Sequence, residues 1–221
     1  RYKFPTLSIQ AIRFEDSFKV EKKYNPKNKF TRERPIILLT GYWPPTNEAL
    51  RPFSQSNILN PQGWIGENWE ELGFDIVSYF PTFSPPNCSD CGQGMGDLEV
   101  DYQDTSGDWW NIVDSLNPIS IITFSRGYIN YSWELEYKYY NWLGWINDYT
   151  EPYQPTPAPP DQEAPINNIR ISSLPMANIV EAINDTDLGL ISYIDYQGGA
   201  GNFLSEYKGF HGVWYKDLMD E

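Results

Sequence analysis

The residues able to do chemistry fall in a few short segments. Gly198-Gly199-Ala200-Gly201 leads into an expected helix over 202–215, and Ser205 lies about one turn inside it. A glycine-rich turn exposes backbone amides at a helix start, where the helix dipole favours negative charge. A nucleophile there has its anionic form stabilised, which suits acyl transfer. The same glycines also allow close packing around a small interior Ser205, and the residues alone leave both readings open. Thr40-Gly41-Tyr42 and Ser125-Arg126-Gly127 each follow an apolar run. They therefore fall at the carboxyl ends of expected strands, where open α/β sheets bind ligands. Cys88-Ser89-Asp90-Cys91 has redox-dithiol spacing. It sits between Ser84-Pro85-Pro86-Asn87 and Gly92-Gln93-Gly94, a loop and not the strand-to-helix junction such dithiols use. A small structural disulfide or two free thiols are expected there, away from Ser205 and without metal. Asn87-Cys88-Ser89, Asn130-Tyr131-Ser132 and Asn184-Asp185-Thr186 match the glycosylation sequon, which arises often by chance in an Asn-rich chain.

The elements that must position these segments can be read along the chain. Residues 1–34 are basic-leaning and read as an extension, with one domain over 35–221. Ile36-Ile37-Leu38-Leu39-Thr40 is apolar on both faces, as a buried parallel strand is. Pro44-Pro45-Thr46-Asn47 reads as a turn or loop, and 64–72 as a helix stopped by Gly73. Phe74 to Phe80 is the second strand. Residues 81–107 form a loop, with a short strand at Leu98-Val100. Asp108 caps a helix ending at Leu116, before Asn117-Pro118. Ile119 to Phe124 is the third strand. Residues 129–147 alternate polar and aromatic side chains and read as strand. Residues 150–165 hold six of the 18 prolines and form a loop. Ile169–Ile171 and Leu190–Ile194 are strands flanking a helix over Met176–Asn184, whose Ile179, Val180 and Ile183 share one side. This alternation predicts an α/β fold with an open, largely parallel central sheet flanked by helices on both faces. Leu38, Ile76 and Ile121 should lie on adjacent buried strands.

Composition narrows the function classes. Acidic residues number 30 against 16 basic, a formal charge of −14. That excess disfavours sequence-independent nucleic-acid binding, which needs Lys and Arg to displace phosphate counterions. No run approaches the roughly 18 apolar residues of a membrane span. One His and two Cys cannot by themselves build a His- or Cys-rich metal site, and no calcium-loop spacing is present. No cofactor is expected. The chain starts at Arg1, so either a leader was removed, as in an exported, processed protein, or the sequence is part of a longer chain.

Residues 36–215 resemble pyroglutamyl peptidase I, the pyrrolidone-carboxylate peptidase family of cysteine peptidases. Leu38-Leu39-Thr40-Gly41-Tyr42-Trp43-Pro44 is similar to the family's opening T-G-F-x-P. Ser173-Leu174-Pro175-Met176 with Ile179-Val180 resembles its L-P-v-x-x-i-v segment. Ala200 to Tyr207 resembles A-G-x-[YF]-[LV]-C-N. Glu136 with Asn141 looks like E-R-V-x-x-N, following Arg126-Gly127, and Tyr153-Gln154-Pro155 is similar to N-Q-P. Arg51-Pro52-Phe53-Ser54 departs from the family's N-P-S, and extra residues stand around 193–199.

The resemblance implies an enzyme that removes N-terminal pyroglutamate from peptides with a Cys, a His and an acid. By motif, Ser205 holds the nucleophile position and Glu136 that of the acid. Tyr42 and Arg126 are the expected substrate-binding residues. Here Ser replaces Cys, and the family's His falls some two dozen residues beyond it, past Glu221. The single His, His211, lies six residues from Ser205. On one helix that is a rotation of about 240° and a rise of about 9 Å, which prevents a hydrogen bond. The expected function is thus a pyroglutamyl-peptidase scaffold that is inactive or impaired as given. The alternative is a non-catalytic binding or structural module, to which the aromatic excess and Pro-rich loops are suited. Expected partners are a pyroglutamyl peptide, a protein partner or further copies of the chain.

Overall fold

A computed structural model describes residues 34–41, 43–86, 88, 92–125, 132–141, 143–145, 147–156, 158, 162, 164–172 and 174–199. Its centre is the run apolar on both faces. Strand β1 (Ile36–Gly41) is flanked by β2 (Asp75–Tyr79) and β3 (Ser120–Phe124) in the order β2-β1-β3, all parallel. Leu38 pairs with both Val77 and Ile121, and Ile37 with Ile76. Leu38 and Ile121 are buried and Ile76 is half-buried, on adjacent strands as the residue pattern requires.

Helices cover both faces. On one, helix α2 (Tyr102–Leu116) lays Tyr102, Trp109, Ile112 and Leu116 against Ile36, Leu38, Val77 and Ile121. On the other, helix α1 (Pro44–Leu50) and the 3-10 turn Arg51–Phe53 bring Leu50 and Phe53 onto Leu39, Phe80 and Ile122. A central strand must be apolar on both sides to be covered twice.

A second sheet has the order β5-β4-β6. Strand β4 (Ser132–Tyr140) pairs antiparallel with β5 (Ile169–Ile171) and parallel with β6 (Ile191–Gly199). Helix α3 (Met176–Asn184) packs on β6 and touches β4. An edge-to-face contact between Phe124 and Trp133, 5.6 Å between ring centres, joins the end of β3 to the start of β4. Among the described residues no helix is long and apolar enough to cross a membrane.

Several local expectations fail, each for a nameable reason. Pro44–Leu50 is helical, not a turn. Prolines are tolerated in a first helical turn, where their missing N–H has no intrahelical partner to lose. The α2 helix starts at Tyr102 and not after Asp108. Asp101 is its cap, accepting from the Gln103 and Asp104 amides at 2.9 and 3.1 Å, and Gly107 lies inside the helix. The buried stripe begins with Tyr102 and Thr105, which draws the helix back.

Residues 64–72 form no α-helix, only the 3-10 turn Trp69–Glu71 among left-handed residues Asn68, Glu70 and Glu71. That segment covers the outer edge of β2 instead. Ile76 donates to the Gly66 carbonyl at 2.8 Å, and the Trp64 indole donates to the Ile76 carbonyl at 2.8 Å. A Cβ at Gly66 would stand 1.9 Å from that carbonyl oxygen, so only glycine fits. No strand forms at Leu98–Val100, because Leu98 turns left-handed (φ 58°) and enters the core.

Candidate functional site

Three strand ends converge where the chain turns after β1, β2 and β3. Thr40 and Thr123 are register partners whose hydroxyls bond at 2.7 Å, with Thr40 buried. The adjoining Gly41 is required sterically: a Cβ there would lie 2.4 Å from Asn47 Oδ1 and 2.9 Å from Leu50 Cδ1. Asn47 is buried, and its Nδ2 donates to the Pro81 carbonyl at 2.9 Å. It thereby ties the turn after β1 to the loop after β2. This tie lay outside the sequence argument, because its partners are 34 residues apart.

The loop after β2 is closed by the Thr82–Met95 bridge and by the Gln93 carbonyl accepting from the Val100 amide. Gly94 takes a φ of +83° against Pro81 and Phe83. Cys88 sits in this loop as half of a disulfide. Cys91, the chain's other cysteine, lies outside the described residues. Of the two states expected, disulfide and thiol, Cys88 adopts the first.

Glu136 stands on β4, half-buried. Its register partner on β6 is Asp195, and Glu134 pairs with Tyr193. Register partners on adjacent strands share a face about 4.8 Å apart, so three carboxylates and a phenol lie together there. Burial first, and then the negative charge of Glu134, push the Tyr193 phenol above its usual range. Its hydroxyl donates to Glu134 and accepts from Ser132. Asp195 had no sequence signal, since only register makes it a neighbour of Glu136. Two residues on, Lys138 pairs with Gly199 across an irregularity in the ladder. Glu136 is therefore close to where β6 passes into the segment carrying Ser205. Tyr42, Arg126, Ser205 and His211 all lie outside the described residues, as does the expected helix over 202–215.

A second acidic group surrounds the start of α2. Asp148 accepts from the Tyr102 amide at 2.9 Å and Asp101 accepts from Thr150. Loss of hydration, then neighbouring carboxylates, raise Asp97 beside Asp108, and Asp104 beside Asp101, Glu99 and Asp108. Loss of hydration likewise raises Asp148, against a lowering by the Tyr102 amide. A carboxyl raised in the fold binds its proton more tightly folded than unfolded. Stability from these groups is therefore greatest when they are protonated and is lost as pH rises through their raised values. Tm should increase as pH falls from neutrality towards the ordinary carboxylate range. Asp97→Asn should raise Tm at neutral pH and shrink that gain. Differential scanning calorimetry across pH checks both, and an unchanged or falling Tm on mild acidification would contradict the assignment.

No protein-family model matches the chain. No curated protein matches it either. Solved structures do. Pyroglutamyl peptidase I of Bacillus amyloliquefaciens is 20% identical with a TM-score of 0.53, over 85% of this chain and 74% of that one. Pyrrolidone carboxyl peptidase from Thermococcus litoralis is 18% identical with a TM-score of 0.54, over 83% and 68%. A variant of the same peptidase from P. furiosus is 15% identical with a TM-score of 0.53, over 84% and 74%. At such identities the likeness is one of fold, and the α/β architecture with a parallel sheet is the one these peptidases share.

Proposed function

We propose that this chain is a divergent pyroglutamyl-peptidase scaffold that binds the N-terminal pyroglutamyl group of a peptide and turns it over poorly or not at all. The observation that supports this most is the placement of Glu136. It lies mid-strand on β4, beside β6, within two residues of the rung joining Lys138 to Gly199. Glu136 and Ser205 then face one pocket, with Ser205 at the nucleophile position, Glu136 at the acid position, and Tyr42 and Arg126 contacting substrate. His211 points elsewhere. Asp195 adds a second carboxylate beside Glu136, which opposes build-up of further negative charge there. Residues 1–34 form an extension to the domain beginning at residue 35.

A second reading, a binding or structural module, draws on the second sheet. Ile169, Ile171 and Ile191 are each at least half exposed, at 50%, 52% and 69%. They lie on the same face as Glu134 and Glu136.

A ligand that binds only the folded state stabilises it by mass action, about 2.7 kcal/mol at a hundredfold excess over Kd. For a chain of this size that is a Tm increase of about 5–10 °C. A peptide with N-terminal pyroglutamate should produce such a shift, and the same peptide with N-terminal glutamine should not. Equal shifts, or none from either, would remove the pyroglutamyl reading and leave the module.

A further inference from the structure

The outer edge of β6 is capped at Ser192 by one side chain. Asn184, the last residue of α3, donates from Nδ2 to the Ser192 carbonyl at 3.0 Å. Its Oδ1 accepts from the Ser192 amide at 2.6 Å. Ser192 is 3% exposed. A peptide group on a neighbouring strand would offer this same donor–acceptor pair, so the amide substitutes for a missing strand at Ser192 and blocks the edge there. Asn184 is also the acceptor residue of the sequon Asn184-Asp185-Thr186. Its Thr is engaged as well, with the Thr186 hydroxyl donating to the Ile183 carbonyl at 2.6 Å.

The stereochemistry of the amide makes these two roles compete. Pairing with both groups of Ser192 uses Oδ1 and the Nδ2 hydrogen cis to it. In N-glycosylation Nδ2 bonds to the sugar C1, the bond from C1 to its diphosphate breaks, the diphosphate leaves and Nδ2 loses one proton. The product is a secondary amide, and the trans form places the sugar cis to Oδ1, where the bonding hydrogen was. Restoring that hydrogen requires the disfavoured cis amide. We propose that Asn184 is the built-in strand partner of β6, and that N-glycosylation of its sequon and docking of β6 exclude one another. A sugar added before folding leaves the edge of β6 open. Once β6 is docked, Asn184 is no acceptor. This holds whether or not the pyroglutamyl reading does.

The folded 221-residue chain and a free peptide spanning residues 178–192 are each incubated with a soluble sequon-specific N-glucosyltransferase and UDP-glucose. Peptide mass mapping reads Asn184 occupancy. The free peptide should be modified and the folded chain roughly 30-fold or more slowly, the factor that two ordinary hydrogen bonds impose on local opening. Modification of the folded chain at the peptide's rate would overturn the proposal.

Asn184→Asp supplies a second readout. A protonated carboxyl offers both a donor and an acceptor and keeps the pairing. An ionised one loses the donor and sets a charge against the Ser192 carbonyl. Its folded pKa is thereby raised, so stability is present at low pH and lost as pH rises through that value. The variant should match the parent Tm and Ser192 amide protection below the carboxylate range and fall behind above it. A Tm deficit equal at every pH would show that Asn184 does not pair as described.

Discussion

The 221-residue chain should release no fluorophore from a pyroglutamyl amide above the blank rate, and Ser205→Cys alone should not restore full turnover. A hydroxyl is far less acidic than a thiol and needs a base to become a nucleophile. General-base assistance is worth roughly 10²–10⁴ in rate. His211 is the chain's single histidine, and on the helix expected over 202–215 its six-residue spacing from Ser205 would put it out of reach. In the Ser205→Cys variant the thiol recovers intrinsic nucleophilicity and still lacks that base. A continuous fluorescence assay of both proteins decides the matter. Efficient turnover by the parent chain would require another base, and Asp195 beside Glu136 would be the first residue to replace. Together with the Tm comparison this separates binding from chemistry: a pyroglutamyl-specific shift without turnover is the signature of the proposed scaffold.

The largest effect on stability should come from Trp109→Ala. Trp109 is buried at the centre of the contact between α2 and the parallel sheet, in the cluster that holds Leu38, Val77 and Ile121. Removing a buried Trp costs about 3–5 kcal/mol through lost transfer energy and the cavity left behind. Against the roughly 5–15 kcal/mol that separates folded from unfolded states of natural proteins, this is a large share. Trp133→Ala makes the control, because Trp133 is 40% exposed and its ring meets Phe124 edge-on. Urea denaturation should show the Trp109 variant losing several-fold more than the Trp133 variant. Equal losses would mean that the face covered by α2 is not the principal core.

The parts of this protein legible in its amino-acid order are those governed by contacts within a few residues. Ile36 to Thr40 carries apolar residues on both faces, and only a central strand can use them. Helix α3 runs over the same Met176–Asn184 that its one-sided Ile179, Val180 and Ile183 imply. The α/β alternation, and the motifs resembling the pyroglutamyl peptidases, follow from the same order. Decisions that depend on distant backbone groups were not legible. Residues 64–72 have helical composition, but Ile76 needs an edge partner, and Gly66 and Trp64 supply it. Gly107 and Asp108 look like a helix start, yet the core needs Tyr102 and Thr105, so the cap moves to Asp101. Asp195 becomes a neighbour of Glu136, and Ser192 of Asn184, only once β4, β6 and α3 are in register. Periodicity is local physics and is written along the chain. Register and edge satisfaction are settled by which unpaired backbone groups meet, and that is decided only when the chain has folded.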